Sequence, residues 1–251
     1  MISMVARLGF KNGLLIFWLF LILIVLLSKL YSPGIYKYFI REDSFSEYLQ
    51  SFNYFIAGVC SIYMSVLAIK HRLLVVGFLF IFLGVGLLFV SLEEISWGQR
   101  IFEISTAEYF QKNNVQNELT IHNLNTIQSY LRHAYIAISA YGAFSWVFGS
   151  LILSRWKLSY KNALNYVVVD WFLAPYFFVC FSIYTFLHYI RVYMFSNGMG
   201  MDLGEEFWFF LHWRDEEHGE LFLSYGFLFF VFVSFFKLQK CLRAREIGGG
   251  Y

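Results

Sequence analysis

Charged residues are scarce in this sequence. They make up 14% of its 251 residues, whereas soluble domains carry about 25%. The apolar share is correspondingly high at 59%, and it includes 31 Phe, 18 Tyr and 7 Trp. Because a water-soluble core of this size could not bury so many aromatic side chains, we exclude a soluble globular domain and expect lipid to surround the chain.

Cysteine and proline are also rare. The three cysteines, Cys60, Cys180 and Cys241, lie far apart and form no CxxC pattern, so we assign them no chemistry. The chain contains no Pro/Gly-rich linker, low-complexity segment or internal repeat, which predicts a single domain over residues 1–251. The net charge of +2 gives no indication of nucleic-acid binding, because membrane topology explains where the basic residues lie.

What the sequence does contain is six apolar stretches, each long enough to cross a bilayer core, which takes about 20 helical residues. Helices are expected because an open sheet would leave unpaired backbone groups in hydrocarbon. We therefore predict an all-α polytopic bundle of six transmembrane helices, the first of them a retained anchor and not a cleaved signal peptide. The predicted spans are Gly13–Tyr31, Phe52–Ile69, Leu73–Leu92, Ala134–Leu153, Tyr166–Ile190 and Leu221–Leu238.

The basic residues predict the orientation of this bundle. With the N-terminus in the cytoplasm, the inner segments hold 11 of the 19 basic residues and a single acid, Glu246. The other acids fall outside, except Asp170 in the fifth span. Both termini are then cytoplasmic, and two long polar loops, residues 93–133 and 191–220, face the extracytoplasmic side. We expect the function to lie there.

The first polar cluster, Ser91–Arg100, begins where the third span ends. If the helix continues, Glu93, Trp97 and Arg100 share one face. Adjacent carboxylates at a membrane boundary are costly unless they are paired, solvated or metal-bound. Glu93 or Glu94 is therefore our candidate general base, and Arg100 would hold an anionic substrate group. The alternative is a capped helix end with a Glu–Arg ion pair and an interfacial Trp.

The second cluster is Asn114–Asn123. Glu118 and His122 are four residues apart, so on a helix they could bind one cation, or the carboxylate could orient the imidazole. Both are candidate catalytic residues. Amide groups suit hydrogen bonds to sugar or phosphate-ester oxygens. The candidate substrate-binding residues of the two clusters are Trp97, Gln99, Asn117 and Asn123.

The third cluster precedes the sixth span. At 100° per residue, Glu205, His212, Glu216 and Glu220 fall within about 80° of one another, while Asp215, Glu217 and His218 point elsewhere, to water or lipid headgroups. Carboxylates and imidazoles suit a divalent metal ion. The alternative is a solvated acidic loop. The candidate metal ligands, which include one residue near the outer end of the fifth span, are His122, His188, His212 and Glu216.

A compact bundle brings the outer ends of spans three to six together, so we predict one joint site. Pro175 is predicted to kink the fifth span. Asp170, at its inner end, is predicted to reach the cytoplasmic interface or to pair with Lys161. Three glycines of the third span are predicted to let a neighbouring helix approach closely, and they are Gly77, Gly84 and Gly86.

The run EEISWGQR at Glu93–Arg100, followed by NVQNE at Asn114–Glu118 and HNL at His122–Leu124, resembles a signature of uncharacterised bacterial polytopic membrane proteins. The resemblance covers Ser91–Leu124 and implies that these residues belong together in a bacterial inner-membrane protein, without implying an activity. The bundle is also similar to the alkaline ceramidase and adiponectin-receptor-like hydrolases in having polar residues near one face. It lacks their terminal-helix histidine pair.

We therefore expect a membrane-embedded enzyme, working with or without a divalent metal ion, that acts on a lipid or lipid-linked glycan at the extracytoplasmic face. No Ser/His/Asp or Cys/His spacing favours a covalent nucleophile. The second hypothesis is a cation-binding transport or channel element. The third is a non-catalytic subunit that binds a membrane-protein partner through its outer loops.

Overall fold

The computed structural model describes residues 4–39, 44–99, 101–114, 118–156, 163–187, 189, 193, 196 and 215–247. In these ranges the chain is helical and contains no strand, which confirms the predicted all-α class. Short 3₁₀ turns occupy Ser96–Gly98 and Ala163–Tyr166, and a π-helical turn occupies Ile183–Leu187. The α-helices are α1 (Met4–Tyr31), α2 (Pro33–Phe39), α3 (Phe45–Lys70), α4 (Leu74–Glu94), α5 (Glu108–Asn113), α6 (Asn125–Trp156), α7 (Ala174–Ser182) and α8 (Glu216–Ile247).

Five helices in the described part of the chain are long and apolar enough to cross a membrane: α1, α3, α4, α6 and α8. They correspond to five of the six predicted spans, and they indicate an integral membrane protein. The remaining predicted span, Tyr166–Ile190, contains a shorter apolar helix, Ala174–Phe186. The count of six spans and the side on which the loops lie stay predictions.

Helices α3 and α4 form an antiparallel pair that packs closely through glycines. A Cβ atom on Gly77 would lie 2.5 Å from Ile69 Cγ1, and one on Gly84 would lie 2.7 Å from Ile62 Cδ1. These two glycines therefore permit the close approach that the sequence predicts. The prediction is wrong for Gly86, because in the described structure no neighbouring atom lies within 4 Å of its Cβ position.

A second pair is formed by α6 and α7. A Cβ atom on Gly142 would lie 2.1 Å from Phe177 Cδ1, so the two helices can pack this closely only at glycine. Pro175 lies in the first turn of α7, where the N–H group that proline lacks has no helical acceptor. The predicted kink at Pro175 is therefore wrong, because this residue begins the helix.

Helix α8 lies between the two pairs and contacts α3, α7 and α1. The Asn53 side-chain amide donates to Ser224 Oγ at 3.0 Å, and the Tyr54 and Phe227 rings lie 6.2 Å apart. On the α1 side, the Phe17 ring lies 5.2 Å from that of Tyr225. These contacts make α8 the central helix, so the residues of its first turns lie beside the ends of several other helices.

The two ends of the bundle differ in charge. At one end, the Arg245 guanidinium donates to the His71 carbonyl at 2.7 Å, and Lys237 lies 2.6 Å from the Asp170 carboxylate. Lys237 therefore takes the place expected for Lys161, which lies outside the described residues. The opposite end carries the carboxylates, imidazoles and tyrosines of the candidate site.

Candidate functional site

Helix α4 does not continue beyond Glu94 as predicted. The helix ends at Glu94, and the backbone reverses through Ser96, Trp97 and Gly98, which all have positive φ. The expectation that Glu93, Trp97 and Arg100 share a helical face is therefore wrong. Instead, Trp97 folds back, and its Nε1 donates to Glu93 Oε1 at 2.5 Å. Arg100 lies outside the described residues.

Glu93 is buried and organises the loop that follows α5. Its Oε2 accepts hydrogen bonds from the backbone N–H groups of Ile121 and His122, at 2.8 and 2.9 Å. The same oxygen lies 3.2 Å from His122 Nδ1. With Trp97 on its other oxygen, Glu93 contacts four donors. It therefore holds the imidazole in one orientation, and it is poorly placed to act as the general base.

Glu118 and His122 do not form the predicted helical pair. Residues 118–124 are not helical, and Ser96 Oγ donates to Glu118 Oε2 at 2.7 Å while His122 faces Glu93. The helical spacing on which the shared-cation interpretation of these two residues depended is therefore absent. Glu118 instead ties the loop to the turn at Ser96, because a buried carboxylate requires a donor.

The four candidate substrate-binding residues have different environments. Trp97 is 43% exposed, whereas Gln99 and Asn123 are buried. Gln99 accepts from the Leu119 N–H at 2.7 Å and donates to Thr106 Oγ1 at 2.6 Å, which indicates a structural role. Asn117 lies outside the described residues. Of the three that the structure describes, Trp97 has the surface that a ligand could contact.

Two carboxylates from different helices meet beside His122. Glu94, at the end of α4, and Glu220, in the second turn of α8, interact electrostatically with each other and with His122. Tyr184 donates to Glu220, and the Tyr135 ring stacks on that of Tyr184 at 4.8 Å. We call these five residues the carboxylate cluster. They bring together α4, α6, the π-helical turn, α8 and the loop before α6.

The environment of His122 favours its charged form. Its side chain is 31% exposed. Burial disfavours the imidazolium, but the hydrogen bond to Glu93 and the charges of Glu94 and Glu220 outweigh burial and raise the pKa of His122 above its ordinary value. A larger fraction of His122 is therefore protonated near neutral pH than in an exposed histidine, so this side chain can act as a proton donor.

A second buried group braces α1 against α8. Lys29 of α1 and Tyr36 of α2 both donate to the Asp215 carboxylate. The His218 ring lies 5.1 Å from the ring of Tyr36. Burial first, and then the Asp215 carboxylate, raise the pKa of Tyr36. We call this group, made up of Lys29, Tyr36, Asp215 and His218, the α1–α8 brace.

The brace corrects one prediction from the sequence. Asp215 and His218 were expected to point to water or headgroups, yet they are only 6% and 5% exposed. The helical periodicity predicted that these two residues lie on a different side from Glu216 and Glu220. It could not predict that α1 and α2 cover that side of α8.

Several tyrosines at this end were missed in the sequence: Tyr135 and Tyr184 of the carboxylate cluster, and Tyr54, on which Glu94 and Glu220 act electrostatically. They are three of 18 tyrosines, and no spacing distinguishes them from the rest. Lys29 could have been noticed, because it is a lone charge at the end of an apolar span.

The predicted metal site is only partly covered by the structure. His188 and His212 lie outside the described residues, and Glu216 lies at the start of α8 near Tyr184. Among the residues that the structure describes, no three His, Cys, Asp or Glu side chains are grouped so that they could hold a metal ion. Metal binding stays a prediction.

No protein-family model matches this chain, and neither a curated protein nor a solved structure matches it. Its fold and site define the class on their own, as a helical integral membrane protein with a polar cluster at one end of its bundle.

Proposed function

We propose that this chain is a membrane-embedded enzyme that acts on a lipid or lipid-linked glycan at the extracytoplasmic leaflet. The observation that carries the proposal is the meeting of Glu94, Glu220 and His122 at one end of the bundle, with Glu93 fixing the imidazole. Boundary carboxylates of this kind are costly in a membrane protein, and they mark function by default.

The proposed reaction is hydrolysis of an ester or phosphoester by acid–base catalysis. Glu94 takes a proton from water while the water oxygen attacks the carbonyl carbon or the phosphorus atom. The bond to the leaving oxygen then breaks, and the His122 imidazolium donates its proton to that oxygen. Glu93 is a positioning residue that holds the ring through Nδ1. In the metal-assisted form, His122, His188, His212 and Glu216 would hold the metal ion, which would lower the pKa of a bound water.

The proposal includes six spans with both termini in the cytoplasm of a bacterium. The meeting of Arg245 with the turn at His71 supports it, because both segments belong to the basic, inner side in that topology. The carboxylate cluster then lies at the outer leaflet.

The proposal is tested by measuring enzymatic activity after the charge of one carboxylate has been removed. Purified protein in nanodiscs is incubated with total lipid extract, and products are followed by mass spectrometry. Glu94→Gln should lower the rate at least about 100-fold, since positioned proton transfer contributes roughly 10²–10⁴.

The matched control is Glu108→Gln, because Glu108 forms only an exposed i,i+4 pair with Lys112 at 2.6 Å. Such a pair contributes about 0–1 kcal/mol, so this variant should keep full activity. Equal activity of the wild type and both variants would refute the catalytic role of Glu94.

The concentration of carboxylates favours cation binding as a second candidate function. Glu47 also acts on Glu94 electrostatically, so four glutamates including Glu93 and Glu220 surround this end. Cation flux into vesicles that contain the protein, lost in Glu94→Gln, would support transport. Lipid turnover without flux would support the enzyme.

A further inference from the structure

A groove between α4 and α6 opens toward the lipid below the carboxylate cluster. Its volume is about 450 Å³, within the range of roughly 300–1,000 Å³ that ligand sites occupy. Its lining is almost entirely apolar. Leu79, Ile138 and Tyr141 form its exposed rim, while Phe177 and Phe230 are buried at its base.

The groove and the carboxylate cluster lie on the same faces of the same helices. On α6, Ile138 follows Tyr135 by three residues, and Gly142 follows it by seven, so all three share one face. On α8, Phe227 follows Glu220 by seven residues, which places it about two turns deeper on the same side.

On helix α4, too, a cluster residue and a groove residue share one face. Leu83 precedes Glu94 by eleven residues, which is about three full turns, so Leu83 lies under Glu94. Phe177 of α7 precedes Tyr184 by seven residues, so it lies deeper in the bundle than Tyr184. Every helix that contributes a side chain to the cluster thus also lines the groove, and the uppermost lining residue of α6, Ala137, lies about 3 Å along the axis from Tyr135.

We infer that the groove binds a hydrocarbon chain of the lipid whose polar linkage lies at the carboxylate cluster. The inference rests on the proposed function for the identity of that lipid as substrate. An apolar groove that lies below a polar cluster on the same helix faces matches an amphiphile with its headgroup at the cluster. Within the groove, Tyr141 donates to the Val167 carbonyl at 2.9 Å.

The test uses phosphatidylethanolamine with a diazirine in one acyl chain. The protein is reconstituted in vesicles of this lipid, extracted into dodecyl maltoside, washed and irradiated, and labelled peptides are mapped by mass spectrometry. A bound chain should label Ile138 and Tyr141 at least about tenfold more than exposed Val85 and Val147 outside the groove, because a site slows lipid dissociation. Uniform labelling would overturn the inference.

Ala137→Phe should fill the upper groove and reduce this labelling, since Ala137 lines the groove and is exposed. Leu83→Phe is the second filling variant, on the opposite wall. Val147→Phe, on the lipid-facing surface of α6, is the matched control and should leave labelling unchanged. Unchanged labelling in both filling variants, with normal monodisperse elution, would contradict the inference.

Glu94→Gln separates the two proposals. Loss of activity with retained groove labelling supports both the enzyme and the chain site. Full activity with groove labelling refutes the enzyme and leaves the chain site in place. Activity that is lost in Glu94→Gln but accompanied by uniform labelling of the wild type refutes the chain site alone.

Discussion

At the scale of single residues, Glu93 and Glu94 are neighbours with different roles. Glu93 is 4% exposed, and four donors contact its carboxylate. Glu94 interacts electrostatically with Glu220 and His122. The division follows from helical geometry, because consecutive residues on a helix point about 100° apart. Glu93 therefore holds the loop in place, whereas Glu94 is the general base in the proposed reaction.

The pKa of His122 predicts how stability depends on pH. The folded protein binds the proton more tightly than the unfolded chain, because the pKa of His122 is raised in the folded state. Stabilisation by the imidazolium is therefore fully present below the unfolded value of about 6.5, and it is lost as pH rises through the raised pKa.

Thermal unfolding in detergent between about pH 6 and 9 checks this prediction. The melting temperature of the wild type should fall across this window more than that of His122→Asn, which cannot titrate there. Parallel curves for the two proteins would show that His122 does not contribute to the pH dependence.

At the scale of elements, the first turns of α8 are held from two sides. The α1–α8 brace fixes Asp215 just before the helix, and Tyr184 holds Glu220 one turn later. In the middle of the bundle, glycines set the spacing of helix pairs. The position of Glu220 therefore depends on contacts from α1, α2 and the π-helical turn.

Lys29→Met should destabilise the protein strongly. Lys29 and Asp215 are both buried, and removal of one partner leaves a charge in an apolar setting, at a cost of about 3–5 kcal/mol. The double variant Lys29→Met, Asp215→Leu should lose less free energy of unfolding than the sum of the losses in the two single variants.

Lys112→Met is the control for this pair, because Lys112 and Glu108 are 70% and 80% exposed. This substitution should change the free energy of unfolding by at most about 1 kcal/mol. Thermal unfolding measures the stability of the two single variants, the double variant and the control. Additive losses in the double variant would show that Lys29 and Asp215 are not energetically coupled.

Two glycines of α4 provide a test substitution and its matched control. A Cβ atom on Gly84 would lie 3.0 Å from the Gly58 carbonyl oxygen, so Gly84→Ala must push α3 and α4 apart, at about 1–3 kcal/mol. Gly86→Ala meets open space in the described structure and should be neutral or stabilising by up to about 1 kcal/mol, because alanine favours helix. Equal melting temperatures of the two variants would contradict this packing.

At the scale of the whole molecule, two helix pairs, α3–α4 and α6–α7, flank a central α8. The pairs separate on the lipid side, where α4 and α6 border the groove. Polar groups collect at one end of this arrangement, and basic side chains collect at the other. A lateral opening below a polar end suits a protein that receives its ligand from the bilayer.

The predicted topology places two loops and the C-terminal segment in the cytoplasm. Reporter fusions after Lys70, Lys161 and Lys240 should all report cytoplasm, because basic residues concentrate in these segments. Fusion after Lys112 should report the opposite side and serves as the control. An extracytoplasmic signal at any of the first three positions would refute the six-span topology.

Hydropathy and helical period are properties of short segments, so the membrane class, five helices and the polar residues at the end of α4 could be predicted without knowledge of neighbouring helices. Glu93 and Glu94 were selected as candidates because charge at a membrane boundary is conspicuous, and His122 because it follows Glu118 by four residues.

The pairing of these residues depends on how the helices pack. Packing joins Tyr36 to Asp215, which are 179 residues apart, and Tyr184 to Glu220. It also gives Glu118 and His122 different partners, although they are four residues apart. Partners across helices depend on the rotation and depth of each helix. Packing of the whole bundle sets both quantities, which no single segment encodes.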